Sequence, residues 1–189
     1  MINYGELYYD HYCKYLGEPI DREVYKNNDK IPSIQILKYE NVFEKCLVYN
    51  TLGFSKYEDV VGVNVEVSMV VDGAFRHAGY ILANSLFYCI SKQMQFGRGI
   101  AISSIENIDK SFVEKYNKNS VYFTEPFGFP EEYSYVHSER VDNGGKILLA
   151  FFISQSEYDY FVENGADKFE DLLEENNVDP FNISRKSMV

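Results

Sequence analysis

Val63-Asn-Val-Glu-Val-Ser-Met-Val-Val71 is the stretch on which the fold turns. Val63, Val65, Val67 and Met69 alternate with Asn64, Glu66 and Ser68, and a period of two sends successive side chains to opposite faces of a β-strand. The alternation predicts a strand with one face in the core and one face in water. Just downstream, Ala78, Ile81, Leu82, Ser85, Leu86, Cys89 and Ile90 keep i, i+3, i+4, i+7 spacing. That is the apolar stripe of a helix packed on the sheet.

Upstream, "SIQILKYE" (33–40) and "KCLVYNTL" (45–52) are β-rich runs split by "NVFE", which reads as an antiparallel pair. Before them, Tyr4, Leu7, Tyr8, His11 and Tyr15 recur at helical spacing, and Gly17 closes a first helix. Residues 97–145 are less regular. "VYFTEPFGFP" (121–130) reads as a short strand running into a loop broken at Pro126, and Asp142 to Gly145 as a turn before the strand "KILLAFFIS". Then Ser154-Gln-Ser-Glu157 forms a capping box for a helix with Tyr158, Phe161 and Val162 on its inner face, ended by Gly165. Asp167 to Glu170 repeats the cap logic for a last helix whose apolar stripe is Phe169, Leu172 and Leu173. With no repeat or linker, the expectation is one α+β domain over 1–189. It has a mixed, mainly antiparallel sheet with packed helices and a helical C-terminal segment.

Composition narrows the function classes. The 189 residues carry a formal charge of −11, with 17 Tyr, 14 Phe and no Trp. Such a balance argues against direct nucleic-acid binding, which needs clustered Lys and Arg. Tyrosine serves both cores and contact surfaces, so its abundance permits a binding protein without requiring one. Cys13, Cys46 and Cys89 are far apart, match no zinc spacing, and suit reduced thiols packed among apolar neighbours. The N-terminus lacks a basic and then apolar leader, and no apolar run reaches membrane-spanning length. The expected setting is cytoplasmic, with no metal, cofactor or membrane.

One short stretch invites a catalytic reading. "NTLGFSKYE" (50–58) sets Ser55 two residues after Gly53. A nucleophile elbow needs glycine on both sides, G-x-S-x-G, before a helix. Here Tyr57 stands where the second glycine belongs, and the residues beyond lead toward another strand. His11, His77 and His137 lie in unrelated contexts with no acid to orient them. "FGRG" (96–99) is too short for a dinucleotide fingerprint, and Glu131-Glu132 reads as a solvated loop. No catalytic residue is expected, and Ser55 is read as a turn hydroxyl bonding local backbone.

Charge is concentrated near the C-terminus. Between 157 and 179 nine acids (Glu157, Asp159, Glu163, Asp167, Glu170, Asp171, Glu174, Glu175 and Asp179) face the single Lys168, a balance of −8. The pattern fits a solvated helix face, or a docking surface for a cationic protein.

"TLGFS" (Thr51, Leu52, Gly53, Phe54, Ser55) after one strand and before another resembles the T-L-G-x-S turn of the suppressor-of-fused domain family. "YLGEP" (15–19) and "FTEPFGFPEE" (123–132) look like further parts of that family. The tail resembles its bacterial antitoxin branch, the YqcF-like antitoxins, at Ile153, Ser154, Glu157, Gly165, Asp167, Leu172, Asp179, Phe181, Ile183, Arg185, Ser187 and Val189. Phe152 stands where that branch has proline. The resemblance implies a non-enzymatic immunity protein that binds a polymorphic or LXG-type toxin with a basic nuclease domain. Glu163, Asp167, Glu170, Asp171, Glu174 and Glu175 would then be toxin-binding. A second reading, also from the family, is a scaffold that holds an extended segment by β-augmentation.

Overall fold

The computed structural model describes residues 3–27, 33–73, 75–137 and 144–189. Its strands in chain order are β1 (Asp21–Tyr25), β2 (Ile34–Glu40), β3 (Cys46–Leu52), β4 (Val65–Asp72), β5 (Ile100–Ser103), β6 (Ser120–Thr124), β7 (Tyr135–Val136) and β8 (Gly145–Ile153). The helices are α1 (Tyr4–Leu16), α2 (Glu58–Val61), α3 (Ala78–Ser91), α4 (Lys110–Tyr116), α5 (Gln155–Asn164) and α6 (Ala166–Glu175). One sheet runs β1-β2-β3-β4-β8-β6-β5, with β7 added beside β8. Every pairing is antiparallel except β4 with β8, which run parallel at its centre. The expected α+β class, the β2–β3 pair, the strands at β4, β6 and β8, and the helices α1, α3, α5 and α6 are all present.

Two apolar layers flank the sheet. Val65, Val67, Met69 and Val71 of β4 meet Ala78, Ile81, Leu82 and Leu86 of α3 in the larger cluster. Each such Val, Leu, Ile or Met side chain, fully buried, stabilises the fold by about 1.5–3 kcal/mol. On the opposite face Tyr8 and Tyr12 of α1 pack with Leu37, Val48, Val70, Tyr133 and Leu149. Further along that face, Phe169 and Leu173 of α6 cover Tyr122, Phe151 and Ile153.

That second layer overturns the wet face expected for β4. Asn64, Glu66 and Ser68 are 8%, 0% and 0% exposed. A central strand with a parallel neighbour has helices over both of its faces, so alternation of residue type does not become alternation of exposure. The polar row is instead met by protein groups, as buried polar atoms must be. The Tyr8 hydroxyl donates to Asn64 Oδ1 at 2.9 Å, and the Ser68 and Tyr133 hydroxyls pair at 2.8 Å. Burial, acting first, raises the hydroxyl pKa of Tyr8, Tyr12 and Tyr133 and keeps them protonated donors. Much of the tyrosine excess serves this interior face.

Other expectations need correction. The edge strand β1, "DREVY", is absent from the sequence reading because a charged run on a solvated edge has no apolar alternation to reveal it. Between β3 and β4 the chain forms a 3-10 turn at Phe54–Tyr57 and the short α2 before reaching the next strand. The capping box at Ser154 and Glu157 is formed, but Val162 is 64% exposed and does not face inward. Helix α6 begins at Ala166 without a side-chain cap, so Asp167 is no N-cap. Of the thiols, all unpaired, Cys89 is buried while Cys13 and Cys46 are half-buried. The expected turn at Asp142 to Gly145 lies largely outside the described residues.

Candidate functional site

The turn at Thr51 to Ser55 closes around a carboxylate. Gly53 adopts φ +111°, ψ 0°, and a Cβ there would lie 3.1 Å from the Ser33 carbonyl oxygen. With the backbone turned this way, the N–H groups of Gly53, Phe54 and Ser55 all donate to Glu66, at 2.7, 3.1 and 3.1 Å. The hydroxyls of Thr51 and Ser55 add bonds of 2.6 and 2.7 Å. Thr51 Oγ1 also accepts from the Val67 amide at 2.8 Å, joining β3 to β4 where the turn begins. Successive amides pointing into one concavity form an anion nest, and here the anion is the protein's own.

This arrangement answers the catalytic reading of Ser55. Its hydroxyl donates to Glu66 rather than to local backbone, and the pair is buried at 4% and 0% exposure. Both Glu66 oxygens are occupied by donors, leaving neither free to take a proton from a reacting group. Of the histidines, His11 Nε2 lies 3.0 Å from the Tyr133 carbonyl oxygen, His77 precedes α3, and His137 follows β7. None bonds Ser55.

Apart from Asp159 and Asp179, the C-terminal acids divide into three groups. Glu157 is fully buried and ion-paired with Arg185, whose Nη1 contacts its Oε1 and whose Nη2 donates to Oε2 at 3.1 Å. The amides of Ser154 and Met188 complete its shell at 2.9 and 3.2 Å. Burial alone would raise its carboxyl, but Arg185, the Ser154 amide and the charge of Lys118 together hold it below the usual value. The Lys118 ammonium, buried and beside Arg185, is pushed down to about 8 and donates to the Arg185 carbonyl oxygen at 2.9 Å.

Arg98 gathers the second group. Its guanidinium reaches Asp167 at 2.8 Å and Glu170 at 2.6 Å. Glu170 also accepts from the hydroxyls of Tyr122 and Thr124 at 2.8 and 2.7 Å. It leans onto the sheet as well as toward water. The third group, Glu163, Asp171, Glu174 and Glu175, is exposed and has no ion pair among the described residues. Asp171, Glu174 and Glu175 share the outer face of α6 with Asp167, opposite buried Phe169 and Leu173. The six acids named from sequence thus lie on α5 and α6, and four of them have no ion pair among the described residues.

The remaining motif positions are fastening points. Asp179 Oδ1 accepts from the Phe181 amide at 3.0 Å, the Asp72 amide donates to the Phe181 carbonyl at 2.9 Å, and Ile183 is buried in the α3-side core. The Ser187 hydroxyl lies 2.8 Å from those of both Ser154 and Ser156. Gly165 bends the chain between α5 and α6 at φ +86°. Pro126 opens the loop after β6, in which Gly128 at φ +78° lets two phenylalanines part. Phe129 stacks on Tyr133 at 4.3 Å inside, while Phe127 stays 42% exposed.

The sequence pattern of the suppressor of fused protein (SUFU) family matches residues 30–186. The chain belongs to that family. Over 173 residues, 87% of this chain and 86% of the relative, it is 27% identical to the immunity protein YqcF of Bacillus subtilis. The crystal structure of a SUFU homolog from Neisseria gonorrhoeae superposes with a TM-score of 0.72 at 18% identity, covering 98% of this chain and 97% of that one. The Sufu–Fu complex gives a TM-score of 0.62 at 12% identity, over 98% and 90%. At such identities these likenesses concern the fold. The Thr51 to Ser55 turn, expected from sequence as a family feature, is the one closed here on Glu66. No helix among the described residues is long and apolar enough to cross a membrane.

Proposed function

We propose that this protein is an immunity protein that binds a cognate toxin and neutralises it by protein–protein contact, without chemistry of its own. The observation that carries the reading is the near full-length similarity to an immunity protein of the same family. Supporting it are the engaged, buried Ser55 and the four unshared carboxylates at one end of the chain. The toxin is a nuclease with a basic substrate groove, because a surface that holds phosphates must be rich in Lys and Arg. An acidic partner fits that groove and is steered to it. The site of action is the cytoplasm, where such a toxin meets nucleic acid. The immunity protein itself touches neither nucleic acid nor membrane.

The decisive experiment co-expresses the chain with a candidate toxin domain from a neighbouring reading frame. A stable complex and restored growth are expected. Restored growth with no complex, or growth lost in a folded, toxin-binding Ser55→Ala variant, would overturn the reading. A second reading, capture of an extended segment by β-augmentation, is favoured by β1. The side chains of this edge strand are exposed along nearly its whole length, and among the described residues only β2 pairs with it.

A further inference from the structure

A cleft of about 460 Å³ opens where α6 leaves the sheet, bounded by Phe127, Phe151, Leu173 and Val178, with Glu170 and Glu174 on its α6 side. The volume falls within the about 300–1,000 Å³ of small-ligand sites, so it admits a long side chain and part of its neighbour. Phe151 and Leu173 are buried at 1% and 8% exposure. Phe127 stacks against Phe181 with centroids 5.5 Å apart and planes at 5°. Its ring is thus held in place by Phe181 while 42% of the residue remains exposed.

We infer that this cleft is the anchor point for an arginine of the partner protein, with its stem along the apolar wall and its guanidinium at Glu174. The inference rests on the partner-binding reading given above. Three features select arginine. An apolar wall with a carboxylate beside it suits a side chain that is aliphatic for most of its length and cationic at its end. An exposed aromatic ring next to a carboxylate offers stacking and a bidentate acceptor together, which a planar guanidinium uses and an ammonium does not. Glu170 is already committed to Arg98, Tyr122 and Thr124, which holds that side of the cleft fixed. Glu174, one turn along α6, has no side-chain partner among the described residues, so its charge is available. An apolar cleft with an unshared charge at its open rim suits an arginine, a residue enriched at interface hot spots.

The test uses Nα-acetyl-arginine amide and its uncharged isostere Nα-acetyl-citrulline amide, each titrated into the 15N-labelled full chain at low salt. The expected result is amide shifts clustered at 173–178 and 127, with citrulline binding about threefold weaker or worse. Glu174→Gln should abolish the difference between the probes, and Phe127→Ala should weaken both. Equal affinity for the two probes, shifts clustered elsewhere, or no shift up to the solubility of the probe would overturn the anchor. Because no toxin is present, this result is independent of the immunity reading. A chain that binds the arginine probe yet forms no toxin complex refutes that reading and leaves the cleft's chemistry standing.

Discussion

Glu66 and Glu157 are both fully buried carboxylates, and the protein holds them in opposite ways. Among the described residues, no cation is bonded to Glu66. Five donors surround it, three amides and two hydroxyls, all from Thr51 to Ser55. Glu157 is held by Arg185, 28 residues away, with two amides in support. Removing a carboxylate from water costs several kcal/mol, and either hydrogen bonds or an opposite charge can offset it. What differs is the job. The first arrangement shapes a tight turn between two central strands, so it is part of the core. The second ties the last residues of the chain to the start of α5, so it is a fastening laid over a finished fold.

The sharpest way to break this comparison is Glu66→Gln. The substituted amide brings two donors of its own to a site already filled with donors, so main-chain N–H groups lose their acceptor in a dry place. The expected loss is about 3–5 kcal/mol, the scale for disrupting a buried charged network. Urea unfolding should show the midpoint falling with an unchanged slope. A loss under about 1 kcal/mol would mean that the nest does not hold the turn.

At the other site, Arg185→Met should cost about 3 kcal/mol, because it strands a buried charge. The double variant Arg185→Met, Glu157→Leu should recover part of that loss, since an apolar pair leaves nothing unpaired. No such rescue exists for Glu66, three of whose five partners are main-chain amides that no substitution removes. Acid titration adds a second readout. The Glu157 carboxyl is held below its usual value, so the unfolded chain binds its proton more readily than the folded one. Its contribution is therefore complete above the unfolded value and lost as pH falls through the lower folded one. Stability of the wild type should drop more steeply below about pH 4.5 than that of the double variant. Parallel curves would show that the ion pair does not govern the acid limb.

The two sites were not equally legible in sequence. The Ser154–Glu157 capping box and the Arg185 motif position stand out, because local spacing encodes a cap and resemblance marks the tail. Their meeting does not, since nothing in local spacing joins residue 157 to 185. Gly53 was readable as a turn glycine, whereas Glu66 sat in an alternating strand where a polar residue reads by default as solvent-facing. The missing signal was global: a central strand covered on both faces of its sheet has no wet face. Arg98 was hidden in the same way. Read within "FGRG" it suggests only a weak glycine pattern, and its partners on α6 lie about 70 residues on.

Within the Glu66 turn, the contribution of backbone shape can be separated from that of side-chain bonding. Gly53→Val forces a β-branched residue to φ +111° with its Cβ 3.1 Å from a carbonyl oxygen, and should cost about 2 kcal/mol or more. Ser55→Ala removes one of five donors and leaves the three amides in place, so about 1 kcal/mol is expected. Thermal melts of the two proteins give the order directly. Equal midpoints would show that Gly53 is not specially strained and that the turn owes its form to the hydroxyls.

The smallest effect on stability, and the most informative about partners, belongs to the unshared acids. Changing Glu163, Glu174 and Glu175 to Gln and Asp171 to Asn removes four exposed charges and no side-chain bond among the described residues. Gln is nearly as good a helix former as Glu, so unfolding should move by no more than about 0.5 kcal/mol. Glu170→Gln makes the contrast, since it weakens the contacts to Arg98, Tyr122 and Thr124 and should destabilise the seat of α6 on β6. For the proposed basic toxin the order reverses. Exposed charges act mainly through the field that guides approach, so the fourfold variant should associate several times more slowly while its dissociation changes little. The wild-type association rate should also fall steeply with salt, because the Debye length shortens to about 8 Å at physiological ionic strength. The variant's rate should depend on salt less. Association rates that ignore both the substitutions and the salt would leave the outer face of α6 as a solvated surface, and the toxin would have to dock elsewhere.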